Sequence, residues 1–384
     1  MIFVQQENYW LYFKHSFNKF HSYYNIVFKN KNKEINNHYE NEICIDCSNG
    51  IGSLYKKEII NIFENKENDF LLKINFINDN NINDNEINNN CGINSILQNH
   101  IPKNKKEKYS SIIKSVSLSS DLDSLIYFID NNDKIKIIKG EKMIILYCKM
   151  INFLIDNFSK NLKIKYYDMI KMGIITSFYS NKAFISYCEQ NLSIYQLCIV
   201  KPGIKNLQRE SKKFDLSICY EYNGQGTIYI NKELTVKFGK LSSLIETSKD
   251  SQIIELFQLF IALFNSTTSD GVANLLNIES ILKIMNLSIN DVYNFYEEIP
   301  YKMIDIEIND INKFIINDED NKLIEPKNIQ KKIDELTKKY DKCRIFLIPS
   351  ENDNSLRLYI ESDSDKNNET IEEEIKNLLK EEKY

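Results

Sequence analysis

The residues best placed to do chemistry stand in short polar loops between apolar runs. Tyr220 to Thr227 reads Tyr-Glu-Tyr-Asn-Gly-Gln-Gly-Thr, preceded by the strand-like stretch Phe214 to Cys219 and followed by the strand-like Ile228 to Ile230. A tight turn there lets the backbone approach a ligand at Gly224, while Glu221 and Asn223 accept from and donate to its hydroxyls. Asn-Gly is also the strongest short hairpin signal, so a plain turn is the alternative reading. Asp121 and Asp123, two positions apart on a loop after a strand, offer the oxygen ligands that a hard divalent cation such as Mg2+ takes. Lys205, behind Gly203, can pair with a phosphate or sugar oxygen, or can simply be a solvated charge. Cys44 and Cys47 form a C-x-x-C, but no second pair has zinc-ribbon spacing, and the eight cysteines read as small core residues in a reducing compartment.

The elements that must carry these loops alternate between two periodicities. Residues 1 to 29 place Tyr9, Trp10, Phe13, Phe17, Phe20, Tyr24 and Phe28 at spacings near three and four, the pattern of one amphipathic helix. So apolar a helix must pack on something, within the chain or outside it. An Asn/Lys tract, Lys29 to Asn37, then reads as a linker. From Ile43 onward short apolar strands (43–46, 71–76, 112–118, 125–129) alternate with helical segments, and a second such series runs from 140 to 230. This implies an α/β protein with largely parallel sheets. After Pro300 a small α+β portion follows, with strands at 303–308, 344–348 and 356–361 and helices at 327–340 and 370–380.

Composition bounds the function. At 384 residues with 42% hydrophobic and 27% charged residues, the chain is long enough for two to four domains with sizeable cores. A formal charge of −5 argues against a dedicated nucleic-acid binder. Met143 to Leu154 and Ile253 to Phe264 are too short and interrupted for membrane spans, and no signal peptide is visible, so a soluble cytoplasmic protein is expected.

Several loops, taken in order, resemble those of the α-D-phosphohexomutases, in the form typical of phosphoacetylglucosamine mutases. The octet at 220–227 is similar to that family's Glu-x-Asn-Gly-His-Gly-Thr sugar loop, with Gln225 at the histidine. Asp46-Cys-Ser-Asn-Gly-Ile-Gly52 resembles the opening of its second domain, Tyr179-Ser-Asn181 its Tyr-Ala-Asn-Gly, and Gly203-Ile-Lys205-Asn206 its Gly-Val-Lys-His. Its magnesium loop, Asp-Gly-Asp-Ala-Asp-Arg, corresponds to Ser119 to Ser124, which keeps Asp121 and Asp123. Its phosphate loop, Arg-Pro-Ser-Gly-Thr-Glu-Asp, corresponds to Ile348 to Asn354, with Ile348 at the arginine, Ser350 and Asn352 at the hydroxyl positions and Arg357 beyond.

The resemblance implies domains at 39–136, 137–298 and 299–384 around a central cleft, preceded by 1–38 as the last helix and linker of a first domain. It further implies hexosamine phosphate as ligand, with Lys205, Glu221, Asn223 and Gly224 on the sugar, Ser350, Asn352 and Arg357 on the phosphate, and Asp121 and Asp123 on Mg2+. The family interconverts N-acetylglucosamine 6-phosphate and 1-phosphate through a phosphoserine in a Ser-His-Asn-Pro loop, on the route to UDP-N-acetylglucosamine. No such tetrapeptide occurs in these 384 residues. Two readings follow: a mutase whose first domain is missing because the reading frame is incomplete or is supplied by another polypeptide that covers the N-terminal helix, or an inactive scaffold that binds sugar phosphates or a protein partner.

Overall fold

The computed structural model describes residues 6–28, 38–65, 70–79, 87–97, 100–101, 114–118, 124–245, 247–264, 271–317, 322–350 and 354–382. Asp121, Asp123, Asn352, the whole Lys29–Asn37 tract and much of the Asn-rich stretch before Cys91 lie outside these. The chain divides into two compact units, Met1–Ser177 with Leu192–Phe295, and Phe178–Asn191 with Tyr296–Tyr384.

The first unit contains two sheets. One orders β1 (Glu42–Asp46), β2 (Lys73–Ile77), β3 (Ser115–Leu118), β4 (Ser124–Ile129) and β5 (Ile135–Ile138) as β2-β1-β3-β4-β5. β1 runs parallel to β2 and β3, but the β3–β4 and β4–β5 pairs are antiparallel. The connections between them are too short for a crossover, so the largely parallel sheet expected from the alternation is here half antiparallel. The other sheet orders β6 (Met172–Ser177), β7 (Gln196–Val200), β8 (Leu216–Tyr220) and β9 (Gly226–Ile230) as β9-β8-β6-β7, parallel except for the β8–β9 hairpin. Strands β1, β3, β6 and β8 are buried along nearly their whole length, which is why their sequences read as continuous apolar or small runs.

The N-terminal helix, Gln6–Phe28, forms as its spacing predicts, and its aromatic stripe is covered from within this unit. Phe20 meets Phe260 at 5.7 Å between ring centroids, Phe28 meets Phe153 at 5.2 Å, and the Tyr23 hydroxyl donates to Glu255 at 2.7 Å. Burying each such ring stabilises by about 1.5–3 kcal/mol. Among its described side chains, Leu11, Tyr12 and Ile26 are the large apolar ones left exposed.

His21 sits inside this contact. The Ser280 hydroxyl donates to the Leu276 carbonyl at 2.9 Å, so it accepts from His21 Nε2 at 2.8 Å and fixes the neutral ring with its proton on Nε2. Burial first, and then Lys283, lower the imidazole pKa to about 3. The unfolded chain takes up this proton below about pH 6.5 and the folded chain does not, so stability is full above that pH and is lost as pH falls toward 3, by at most ~1.4 kcal/mol per unit. Chemical denaturation between pH 7 and 4.5 will show this slope, and His21→Gln will flatten that part of it; an unchanged slope would mean that His21 is protonated in the fold.

The second unit packs a three-stranded antiparallel sheet, β10 (Tyr301–Glu307), β11 (Arg344–Pro349) and β12 (Ser355–Glu361) in the order β10-β12-β11, against helices Lys327–Lys339 and Asp365–Glu381. The Lys182–Asn191 helix belongs to this unit. The Glu361 carboxylate is completely buried at that helix's N-terminus, where it accepts from the Lys182 amide at 3.2 Å, the Arg344 guanidinium at 2.8 Å and the Tyr359 hydroxyl at 2.7 Å. Asn181 adds bonds to the backbone of Ile299 in both directions. Among the described residues no helix is long and apolar enough to cross a membrane.

Candidate functional site

The Tyr220–Thr227 octet is a hairpin, as its Asn-Gly pair foretells. The Glu221 amide donates to the Gln225 carbonyl at 2.8 Å, and the Gly224 amide donates to the Glu221 carbonyl at 3.0 Å. Gly224 has φ +90°, the left-handed residue that completes a three-residue hairpin loop. Asn223 Oδ1 accepts from the Gln225 amide at 3.1 Å, which holds the turn and leaves Nδ2 without a partner among the described residues.

Three further elements meet this hairpin. The Gly140–Asp156 helix starts against it: the Gly140 amide donates to the Tyr222 carbonyl at 3.3 Å, and a Cβ at Gly140 would stand 1.9 Å from the Glu221 carbonyl oxygen. The start of β4 touches its tip, since a Cβ at Gly224 would lie 3.6 Å from the Ser124 carbonyl oxygen and 3.8 Å from Leu125. Ser124 directly follows Asp123 in sequence, so the chain leaves the expected metal loop beside the expected sugar loop. Third, the Ile204–Ser211 helix presents its N-terminus: the Gly203 amide donates to Glu221 Oε1 at 2.6 Å.

Glu221 is 6% exposed. Burial raises its carboxyl pKa above the ordinary range, against the lowering pull of the Gly203 amide and the Ser177 hydroxyl. Lys205 is exposed and has no partner among the described residues. The corner therefore offers an unpaired ammonium, an amide donor and a close-approach glycine, the kind of group set that binds a polyhydroxylated anion.

The phosphate candidates lie in the second unit. The Ser350 amide donates to the Ser355 carbonyl at 2.9 Å at the end of β11. Arg357 forks onto Asp305 with Nε–Oδ1 at 2.8 Å and Nη2–Oδ2 at 3.0 Å, a solvent-accessible pair. Ile348, opposite Arg357 in the strand register, is buried. Asp121, Asp123 and Asn352 lie outside the described residues, and among the described residues no three Asp, Glu, His or Cys side chains converge as metal ligands. Burial, with Asp46 adding to it, lifts the Cys47 thiol to about 12, which leaves it a core residue.

The bonding roles of two polar residues, Asp46 and Asn274, were not evident from the sequence. Asp46 is fully buried and accepts from the Ser48 amide, Asn78 Nδ2, the Gly92 amide and the Ser117 hydroxyl, all between 2.8 and 3.0 Å, so it ties β1 to β3. Asn274, on the Gly271–Met285 helix, donates to the Gly226 carbonyl at 3.1 Å and accepts from the Tyr220 hydroxyl at 3.4 Å, bracing both sides of the hairpin. The signal for Asp46 was a carboxylate at the end of an apolar strand; nothing local marks Asn274.

Residues 139–287, which contain the hairpin, the Gly140 helix and Lys205, match the family model described as "Phosphoacetylglucosamine mutase AMG1, domain III". The phosphoacetylglucosamine mutase of Candida albicans is 28% identical over 341 residues, 88% of this chain and 60% of that protein. That of Sus scrofa is 27% identical over 332 residues, 86% of this chain and 58% of that protein. The chain thus spans about three fifths of the length of these curated relatives. A crystal structure of an N-acetylglucosamine-phosphate mutase in its substrate complex superposes with a TM-score of 0.83 at 25% identity, covering 97% of this chain and 66% of that one. An Aspergillus fumigatus N-acetylphosphoglucosamine mutase solved with GlcNAc-6P and magnesium shares the fold, with a TM-score of 0.80 at 23% identity over 94% of this chain and 69% of that one. The fold is that of the α-D-phosphohexomutases. Among them, the chain is similar to the phosphoacetylglucosamine mutases, over residues 139–287 by the family model and over 332 to 341 residues by these two relatives.

Proposed function

We propose that this chain binds N-acetylglucosamine phosphate at the corner built from the 220–227 hairpin, the start of the Gly140 helix and the Lys205 helix, and serves the interconversion of the 6-phosphate and 1-phosphate. The observation that supports this most is the meeting of the hairpin tip with Ser124, which brings together the ends of the two loops that such a reaction needs side by side. Asp121 and Asp123 would hold a magnesium ion there, and the ion would supply positive charge against the migrating phosphate. The chain's own part is recognition and orientation: Asn223 donates to a sugar hydroxyl, Gly224 lets the ring approach, and Lys205 meets an anionic oxygen. The phosphoserine carrier of the family reaction has no counterpart tetrapeptide in these 384 residues, so a complete cycle draws that nucleophile from outside them.

The second reading, a binding scaffold without turnover, is favoured by the second unit, where Ile348 is buried at the arginine position and Arg357 is held by Asp305. Calorimetric titration with N-acetylglucosamine 6-phosphate tests the binding proposal: saturable heat that Asn223→Ala reduces is expected, and no heat at millimolar ligand contradicts it. Turnover by the chain alone with magnesium and a hexose bisphosphate, at the 1–1000 per second or so of ordinary enzymes, would overturn the scaffold reading.

A further inference from the structure

We propose that the second unit binds an acidic peptide in extended form, added as a further strand along the outer edge of β11 in the groove beside the Lys327–Lys339 helix. The proposal is independent of the sugar-phosphate reading. In the order β10-β12-β11, β11 is an edge strand, and the neighbouring Ile315–Ile316 strand pairs with Leu323–Glu325 instead of with it. The Ser350 amide donates to the Ser355 carbonyl at 2.9 Å, so by alternation residues 350, 348, 346 and 344 bond to β12, while Ile345 and Leu347 turn their amides and carbonyls outward. On the other side of β12 the Ile308 amide donates to the Asn354 carbonyl at 3.0 Å and the Ser362 amide to the Pro300 carbonyl at 3.1 Å, which gives the same alternation. Pro349, the next outward position, has no amide to leave unpaired, as befits a proline on an edge strand. The Ile345 amide and carbonyl have no partner among the described residues.

A groove of about 480 Å³ lies at this edge, between the start of β11, one face of the Lys327–Lys339 helix and Lys322. That volume falls among the roughly 300–1,000 Å³ of binding clefts. A helix beside an open edge strand suits strand addition, in which main-chain bonds give affinity and alternate side chains give specificity. Charge selects the class of peptide. Lys322, Lys338 and Arg344 line the groove against one carboxylate, Asp334, in a chain whose formal charge is −5. Arg344 is already paired with Glu361 at 2.8 Å, so the lysines carry the excess, and Lys338 is exposed with no partner among the described residues. On an added strand every second side chain would face this wall, so acidic residues at alternate positions meet the lysines while the peptide backbone meets Ile345. A small anion would use the lysines alone and leave the Ile345 groups unpaired.

Titration of the whole chain at low salt with an end-blocked, fluorescently labelled hexapeptide of alternating Glu and Val tests this. Saturable binding below about 1 mM is expected, and Lys338→Glu will weaken it about fivefold or more. The counterpart peptide of alternating Lys and Val will not bind. Methylating alternate backbone nitrogens of the acidic peptide keeps its charge but removes the donors that an added strand needs, and will abolish most of the binding. Hydrogen exchange gives the position: the Ile345 amide will slow when the acidic peptide is bound, while the Phe346 amide, already bonded to β12, will not change. No saturation at millimolar peptide, equal affinity in Lys338→Glu, or unchanged exchange at Ile345 would overturn the proposal. Equal binding of the methylated peptide would overturn it too, since it would show a site for anions and not for a strand.

Discussion

Lys114→Met is expected to destabilise the protein by about 3–5 kcal/mol, the largest single effect among the changes considered. Lys114 Nζ lies 2.7 Å from Glu279 Oε2 with both side chains almost wholly buried, and it also donates to the Glu40 carbonyl at 3.0 Å. The Tyr39 hydroxyl donates to the same Glu279 oxygen at 2.9 Å, and the lysine stands 4.8 Å from the Tyr39 ring centroid. Removing the cation leaves a carboxylate buried with one neutral donor, and that uncompensated charge is the source of the loss. Replacing both partners, as in Lys114→Met with Glu279→Leu, removes the stranded charge, so the double variant will recover a large part of the stability. Urea denaturation reads both, and a loss under 1 kcal/mol for the single variant would mean that water reaches the pair.

Gly140→Ala is expected to cost about 3 kcal/mol and to disturb ligand binding by more than that loss alone would suggest. The added methyl group would lie 1.9 Å from the Glu221 carbonyl oxygen and 2.9 Å from Tyr220 Cβ, and neither is the movable end of a long side chain. Either the helix start or the hairpin must shift, and overpacking of this kind costs about 1–3 kcal/mol or more. Because the Glu221 carbonyl also accepts from the Gly224 amide, the shift would carry the turn with it. Gly239, where a Cβ meets nothing within 4 Å, is the matched control: Gly239→Ala will leave both stability and binding near the unaltered values. Equal effects at the two glycines would contradict the packing of the helix start against the hairpin.

What the sequence revealed and what it hid follow from the range of the interactions involved. The hairpin, the helix opened by Gly140 and the strands β1, β3, β6 and β8 were legible because turn residues and apolar runs act locally. The antiparallel β4–β5 pair was not, since β5 reads Ile-Lys-Ile-Ile and is only partly buried, too short a signal to separate from a loop. The pairing of Glu221 with Gly203 and of Lys114 with Glu279 joins residues 18 and 165 positions apart, and nothing near either partner announces the other. Glu221 was singled out from the turn's composition, but its bond to the Gly203 amide could not be read there. The aromatic stripe of the first helix shows the same limit: its period announces that it must be covered, and the Ser248–Ile261 and Gly140–Asp156 helices show by what.

The most direct test of the hexosamine-phosphate reading is a crystal structure of this chain grown with N-acetylglucosamine 6-phosphate. The sugar is expected against the Tyr222–Gln225 turn, within hydrogen-bonding distance of Asn223 Nδ2, with an anionic oxygen at Lys205. A sugar seated elsewhere, or an unliganded hairpin at saturating concentration, would contradict it.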